Sequence, residues 1–431
     1  MSKLAIAGGS PIRRTSFATW PQFDEREQQG LLDVLNSGNW GGYPFPNEYA
    51  KRFAEEFASY HDAKHALCAV NGTVTIEIAL KAAGIRAGDE VIVPAYTFEA
   101  TAAPVLKLGA IPIFVDVSPD NYCLDVDAAR AAVTAKTRAV IPVHLAMNMV
   151  DMDALEELAR QHDLKVIEDC AHAHGAKWRG RGAGSWGDAG SFSMQTSKLM
   201  TAGEGGVVTT NDDEIFELCQ SYVNCGRASA TDKFGHRILG FNYRLSEFQA
   251  AVLWAQIGKL EEQTSLRAQR AARLSEGLAE IEGLSLLKRD ERLTTQAIYQ
   301  YVFKYDPQAF GGASRNRFVA ALEAEGVPCD GLFYEPIYRS TLFNVDARDF
   351  LQLEADNLPW AKAHCPVAER AAYEESVWLP HQILLGDESN VDDVIEAIMK
   401  IQNHSDELLA AKHRLIDIKG MNRVERPRFE A

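Results

Sequence analysis

A chain of 431 residues exceeds one small domain and, at roughly 100–200 residues per domain, predicts two or three folding units. Its 46% hydrophobic and 24% charged residues match soluble globular proteins and argue against a disordered, collagen-like or membrane-embedded chain. With 44 Lys and Arg against 60 Asp and Glu, the formal charge of −16 disfavours a broad polyanion-binding face, so no nucleic-acid partner is expected.

From the N-terminus, Met1 to Pro11 holds one Lys and an apolar stretch too short for a signal sequence. No apolar run elsewhere approaches the roughly 20 residues of a spanning helix, so no membrane association is expected. Residues 1–30 read as an N-terminal arm. Between 65 and about 210, short apolar runs alternate with helical patterns, which predicts an α/β layer in which helices cover both faces of a sheet. The strand candidates are 65–70, 90–95, 111–117, 139–145, 165–170, 189–194 and 206–210. Runs apolar almost throughout suit strands buried on both sides. Helices are predicted at 73–83, 128–135 and 152–162, with Asn71 and Asp151 as caps. Two long helices, 246–260 and 265–281, then bridge to a smaller α+β unit with a strand at 297–305 and helices at 314–325 and 391–404. The expected boundaries are 31–265 for the large domain, 266–409 for the small one and 410–431 for a basic tail. Seven cysteines, at 68, 123, 170, 219, 225, 329 and 365, form no Cys-x-x-Cys pair and suit a reducing cytoplasm.

Four segments carry the chemistry. Asn71-Gly72-Thr73 joins the first strand to a helix, where backbone N–H groups and the helix dipole make a phosphate site; the same residues also read as a plain cap and turn. The segment lacks the Walker and Gly-x-Gly-x-x-Gly patterns. Pro94-Ala95-Tyr96-Thr97-Phe98 places aromatics at the next strand's end, able to stack on a flat ring or to pack in the core. Glu168-Asp169-Cys170-Ala171-His172-Ala173-His174-Gly175 ends an apolar strand in an acid. A carboxylate buried there suits a pyridinium nitrogen, with Glu168 on the opposite side of the pleat. A helix-capping Asp with core histidines is the alternative, and an Asp/His metal site a weaker one, because two histidines two apart lack helical i, i+4 spacing. In Ser193-Met194-Gln195-Thr196-Ser197-Lys198, a lysine follows a strand and precedes the turn Gly203-Glu204-Gly205-Gly206. At a strand end in an α/β sheet a desolvated amine can form a Schiff base with an aldehyde, although a lysine taken at random is a solvated loop residue.

Taken together, these segments resemble the DegT/DnrJ/EryC1/StrS family of pyridoxal-phosphate-dependent sugar and cyclitol aminotransferases, within fold type I. The likeness runs from Gly8-Gly9-Ser10-Pro11 to the last helix. It is carried most specifically by Glu168 to Ala176, by Ser193 with Lys198, and by Gly240-Phe241-Asn242-Tyr243-Arg244-Leu245-Ser246-Glu247. It implies a mixed, mostly parallel seven-stranded sheet and a smaller α+β C-terminal domain. By that resemblance Lys198 would hold pyridoxal 5′-phosphate and shuttle a proton, and Asp169 would pair with the ring nitrogen. Phe98 would stack on the ring and His172 lie near its phenolic oxygen. Gly72, Thr73 and Ser193 would bind the phosphate, and Asn242 would reach it from a neighbouring subunit, so the family likeness implies a homodimer with shared active sites.

Met194 to Gly206, Tyr334-Glu335-Pro336-Ile337-Tyr338-Arg339-Ser340 and Val377 to Gln382 look more like the branch holding glutamine:scyllo-inosose aminotransferases and 3-amino-5-hydroxybenzoate synthases. The usual Val-His-Leu-Tyr-Gly stretch is Val143-His144-Leu145-Ala146-Met147 here. The expected activity is transfer of an amino group from L-glutamine, or L-glutamate, to a keto-cyclitol or keto-sugar by a ping-pong mechanism without metal. Tyr43, Tyr338, Arg339 and His381 are the candidates for contacting that ketone. The rival readings are a nucleotide-sugar aminotransferase, an aromatising dehydratase, a regulator that binds the cofactor without turnover, and a hydrolase with metal on His172 and His174.

Overall fold

The computed structural model describes residues 3–42, 45–228, 234–346, 350, 353 and 358–410. Tyr43, and the expected tail from residue 411 onward, lie outside the described residues. One sheet contains all seven strands expected from the apolar runs. From edge to edge it runs His65–Ala69, Gly206–Thr210, Ala189–Ser193, Lys165–Asp169, Thr137–Val140, Glu90–Pro94 and Ile111–Val115. Gly206–Thr210 is antiparallel to both neighbours, and every other pair in the sheet is parallel. Val91, Ile92 and Val93 are fully buried, as is Gly206–Thr210 throughout, so both faces are covered and the strands read as continuous apolar sequence. The caps stand where the sequence places them. Asn71 Oδ1 accepts from the Val74 N–H, and Asp151 Oδ1 from that of Ala154, each satisfying an amide that helix geometry leaves over.

The largest departure from expectation is the pair of helices at 246–260 and 265–281. They are one helix, Glu247–Ala279, of 33 residues, which at 1.5 Å per residue is about 50 Å long. The polar run Glu261-Glu262-Gln263-Thr264 looks like a break, but it contains no Gly or Pro, and Gln263, Thr264 and Arg267 are buried. The helix packs on Glu25–Ser37 and Glu48–Tyr60, and also on Leu284–Leu286, His381–Leu385 and Glu388–Asn403. The boundary expected at 265/266 therefore falls in mid-helix. Beyond it, Leu284–Leu286, Gln300–Tyr305 and Ser376–Pro380 form an antiparallel three-stranded sheet. A second small sheet pairs Leu293–Thr295 with Lys177–Trp178, next to Arg181–Gly182.

The N-terminal segment is a strap laid over the C-terminal part of the chain. The Glu325 carboxylate accepts from the backbone N–H groups of Ala5 and Ile12, and from Lys400 Nζ at 2.8 Å. Lys400 also donates to the Ser10 carbonyl, and the Lys400–Glu325 pair is almost wholly buried. Removing one partner of a buried pair strands the other charge. Lys400→Met is therefore expected to lower stability by about 3–5 kcal/mol, read as a fall in the urea midpoint; an unchanged midpoint would show that the Lys400–Glu325 pair contributes nothing.

Candidate active site

Ligands of open α/β sheets sit beyond the carboxyl ends of parallel strands, and a cavity of about 580 Å³ lies there. Phe98 and Thr101 follow the strand Glu90–Pro94, Val143 follows Thr137–Val140, Asp169 ends Lys165–Asp169, and Ser193 ends Ala189–Ser193. The helix Gly72–Ala82 starts at the same rim, with the first-turn amides of Gly72 and Thr73 outside its hydrogen-bond ladder. A Cβ on Gly72 would stand 2.8 Å from that of Ser193, so only glycine lets strand and helix approach this closely. Thr75 Oγ1 lies 2.6 Å from Ser191 Oγ and ties the helix start to the strand behind it. Loose N–H groups beside a serine hydroxyl at a helix N-terminus make an anion cradle.

Adjacent acids on one strand have opposite fates. Glu168 faces away from the cavity and accepts from the backbone N–H groups of Gly184, Trp186 and Gly187 and from His144 Nε2. Burial pushes its pKa up, but the bonds from His144 and the backbone outweigh that and hold it below the usual carboxylate range. Asp169 lines the cavity and accepts 2.7 Å from the Thr101 hydroxyl and 3.1 Å from the Ala171 N–H. Burial raises its pKa against these two bonds and the charge of Lys198. No cation forms an ion pair with it among the described residues, so its charge is left for a ligand.

Lys198 reaches the cavity from a turn closed by its own N–H to the Gln195 carbonyl. Its Nζ stands 4.5 Å from the centre of the Tyr299 ring, whose hydroxyl is 2.7 Å from Ser197 Oγ. Burial pushes the amine's pKa down to about 8, opposed by the Asp169 charge. A far larger share than of an ordinary lysine, about a tenth at pH 7, is then a free nucleophile and base.

His172 fixes a third group. Its Nδ1 accepts from the Ala146 N–H at 3.2 Å, so Nε2 carries the proton and donates to the Tyr334 hydroxyl oxygen at 3.1 Å. The hydroxyl proton of Tyr334, which lines the cavity, is thereby free for a ligand. Ala146 makes this possible from a left-handed conformation (φ 59°), its carbonyl accepting from the Tyr299 N–H.

The cavity thus brings together Gly72, Thr73, Phe98, Asp169, His172, Ser193 and Lys198. Phe98 turns a ring that is 53% exposed into it. Four expected residues stand apart. Tyr338 and Arg339 do not line it; both bind Glu369, the hydroxyl at 2.8 Å and the guanidinium at 2.8 Å. Their turn faces a neighbouring carboxylate rather than the site. His381 is buried behind the lysine turn, donating to the Ser197 carbonyl, and Asn242 is exposed on the surface. Thr101, Gln195, Glu204, Tyr299 and Tyr334 line the cavity without having been singled out. Tyr334 lay within the quoted Tyr334 to Ser340 segment, whereas Tyr299, inside a run read as a plain strand, gave no signal. Among the described residues, the three metal-ligating side chains that do converge are His144, Glu168 and Cys170. Both Glu168 oxygens are already taken by backbone amides. His172 and His174 serve different partners, Tyr334 and the Ser193 carbonyl.

A desolvated lysine sharing a cavity with an unpaired buried carboxylate and an anion cradle is the equipment of an enzyme that handles amines. The profile described as the DegT/DnrJ/EryC1/StrS aminotransferase family matches residues 21–399, and the chain belongs to that family. A protein of Streptoalloteichus tenebrarius named "Putative L-glutamine:3-amino-2,3-dideoxy-scyllo-inosose aminotransferase" is 44% identical, over 94% of this chain and 99% of its own length. The L-glutamine:2-deoxy-scyllo-inosose aminotransferase of the same organism is 38% identical, over 94% and 99%. Among solved structures, 3-amino-5-hydroxybenzoic acid synthase superposes with a TM-score of 0.80 at 35% identity, covering 92% of this chain and all of that one. An aminotransferase from Psychrobacter cryohalolentis gives 0.81 at 31%, covering 89% and 98%. The protein is an aminotransferase.

Proposed function

We propose that this aminotransferase uses pyridoxal 5′-phosphate to move an amino group from L-glutamine, with L-glutamate next, to a keto-cyclitol in a ping-pong cycle. The observation that carries the reading is Lys198, its amine near pKa 8, in one cavity with the unpaired carboxylate of Asp169. When bound, pyridoxal phosphate supplies an aldehyde carbon and a ring that accepts the electrons of a broken C–H bond. The residues fit it: the Gly72–Ser193 approach leaves a cradle that a Cβ would fill, and Asp169 lacks a cation. Gly72, Thr73 and Ser193 would hold the phosphate, Phe98 would cover the ring, and Asp169 would keep the ring nitrogen protonated. Lys198 takes the proton from the donor's α-carbon and, in the second half-cycle, delivers one to the acceptor carbon. His172, through Tyr334, sets a hydroxyl donor in the cavity.

The acceptor reading draws on the names of the relatives and on the polar wall. A polyhydroxylated ketone needs paired groups around it, since a buried unpaired hydroxyl costs affinity, and Gln195, Glu204 and Tyr334 are at hand. Asn242 stands exposed among the exposed apolar Leu239 and Phe241, which supports a homodimer in which it serves the partner's phosphate. Seven free cysteines support a cytoplasmic setting, and among the described residues no helix is long and apolar enough to cross a membrane.

The test is the visible spectrum of the pyridoxal-phosphate-loaded protein. L-Glutamine alone is expected to bleach the visible band, and adding 2-deoxy-scyllo-inosose or its 3-amino-2,3-dideoxy analogue to restore it with formation of an amino product. A band that no amino acid bleaches would overturn transamination. The likeness to 3-amino-5-hydroxybenzoic acid synthase supports a second reading, a dehydratase; that enzyme would generate an aromatic chromophore from a carbocyclic ketone without consuming a donor.

A further inference from the structure

Behind the turn that presents Lys198, the helix Glu247–Ala279 buries an entire guanidinium. Arg267 has no exposed surface, and none of its three nitrogens has a hydrogen-bond partner among the described residues. Among the described residues no carboxylate pairs with it, and it is not part of the cavity wall. Burial pushes its pKa down to about 9, so the charge persists at neutral pH. An uncompensated buried cation opposes folding; its presence calls for a use.

Its surroundings indicate one. The guanidinium centre lies 5.4 Å from the Trp20 ring, and Trp20 meets His381 edge-on at 4.7 Å. Burial first, and then the Arg267 charge, press the pKa of His381 well below the ordinary value. Burial does the same for His174, with smaller pushes from His61, Lys198 and Arg267. Each of the three rings donates to a backbone carbonyl of one short stretch. His174 Nε2 reaches Ser193 at 2.9 Å, Trp20 Nε1 reaches Thr196 at 2.9 Å, and His381 Nε2 reaches Ser197 at 3.3 Å. Carbonyls only accept, so both imidazoles are protonated on Nε2. Their Nδ1 atoms have no partner among the described residues, and a neighbouring cation disfavours a second proton there. Ser193, Thr196 and Ser197 are the residues that lead into Lys198.

We propose that Arg267 is a positioning residue for Lys198: the buried cation keeps Trp20, and through it His381, seated so that their N–H groups hold the Thr196 and Ser197 carbonyls of the lysine turn. The inference rests on reading Lys198 as the lysine that carries the cofactor. The test uses the full chain loaded with pyridoxal phosphate. In Arg267→Met the visible circular dichroism of the loaded protein is expected to fall by half or more and kcat by about tenfold, the scale of a small misplacement of a reacting group. KM for the ketone should shift less than about twofold, because the cavity wall is untouched. The cofactor-free variant should unfold at the same temperature as the parent or higher, since an unpaired charge has left the interior. Trp20→Phe, which keeps a ring but drops one N–H, should change the dichroism in the same direction. A dichroic signal like the parent's in Arg267→Met, or one that falls only alongside a lower unfolding temperature, would refute the positioning role. If Arg267→Met does not fold, Trp20→Phe decides, and parental dichroism and kcat there would refute it. A parent protein that develops no visible band would instead remove the reading of Lys198, and this inference with it.

Discussion

Lys198→Ala is expected to end turnover, with kcat lowered by at least the ~10²–10⁴ that a positioned general base contributes and the visible band lost on incubation with pyridoxal phosphate. The histidine in the cavity wall offers no substitute. His172 Nδ1 is occupied by the Ala146 N–H and its Nε2 proton by Tyr334, and burial presses its pKa well below the ordinary histidine value. A separate readout guards against mistaking an unfolded variant for an inactive one. The amine's pKa is about 8 in the folded protein against 10.5 for a free lysine, so holding its proton opposes folding. That penalty is full below pH 8, shrinks as pH rises from 8 toward 10.5, and is gone above. The cofactor-free Lys198→Ala protein should therefore unfold at a higher temperature than the parent at pH 7, with the gap closing across that window. Retained amino transfer by this variant would dismantle the mechanism outright.

The second large effect belongs to Asp169→Asn. Asparagine keeps the shape, and its side-chain carbonyl can still accept from Ala171 or Thr101, but it brings no charge to a ring nitrogen. Removing one partner of a buried ion pair costs about 3–5 kcal/mol, so kcat/KM should fall by roughly 10²–10⁴-fold at about 1.36 kcal/mol per decade. Steady-state kinetics with L-glutamine and 2-deoxy-scyllo-inosose would measure it. The cofactor-free variant should be no less stable than the parent, because burial already raises the pKa of Asp169 and disfavours its charge. A loss of activity that merely tracks a loss of stability would reduce Asp169 to a core residue holding Thr101 and Ala171.

Burial was legible in the sequence; hydrogen bonding was legible only where it follows from burial. The run at 139–145 is apolar and buried as expected, yet the regular strand ends at Val140, and past Pro142 only a single parallel bridge, Val143 to Asp169, continues the pairing. From there the chain turns to floor the cavity, with Val143 in its wall and Ala146 in a left-handed turn. Side-chain pattern reports what is hidden from water and cannot tell a strand from a buried loop. The reverse error produced the missing helix break, because Gln263, Thr264 and Arg267 are polar and interior. Within the site, Gly72, Asp169 and Ser193 stood out because each lies at a strand end or helix start that its own neighbours announce, and Lys198 because it sits in the turn that follows one such strand. Tyr299 and Tyr334 come from more than 100 residues further along, and only three-dimensional closure brings them over Lys198 and His172. Tyr338 was misplaced by a single 3₁₀ turn, Ile337–Arg339, which sends it to Glu369 while Tyr334 keeps the cavity.

The strap also has a consequence for the order of biosynthesis. The Leu4 N–H donates to the carboxylate of Glu407, 403 residues later, and Trp20, on the same strap, closes on Thr196. At about 5–20 residues per second on the ribosome, Leu4 emerges roughly 20–80 s before its acceptor exists. The large sheet needs nothing beyond Thr210 for its strands, so it can assemble while translation continues. The strap's first anchor cannot. A nascent chain therefore passes through an interval in which the sheet has its full complement of strands while the segment bearing Trp20 is still untethered at its start.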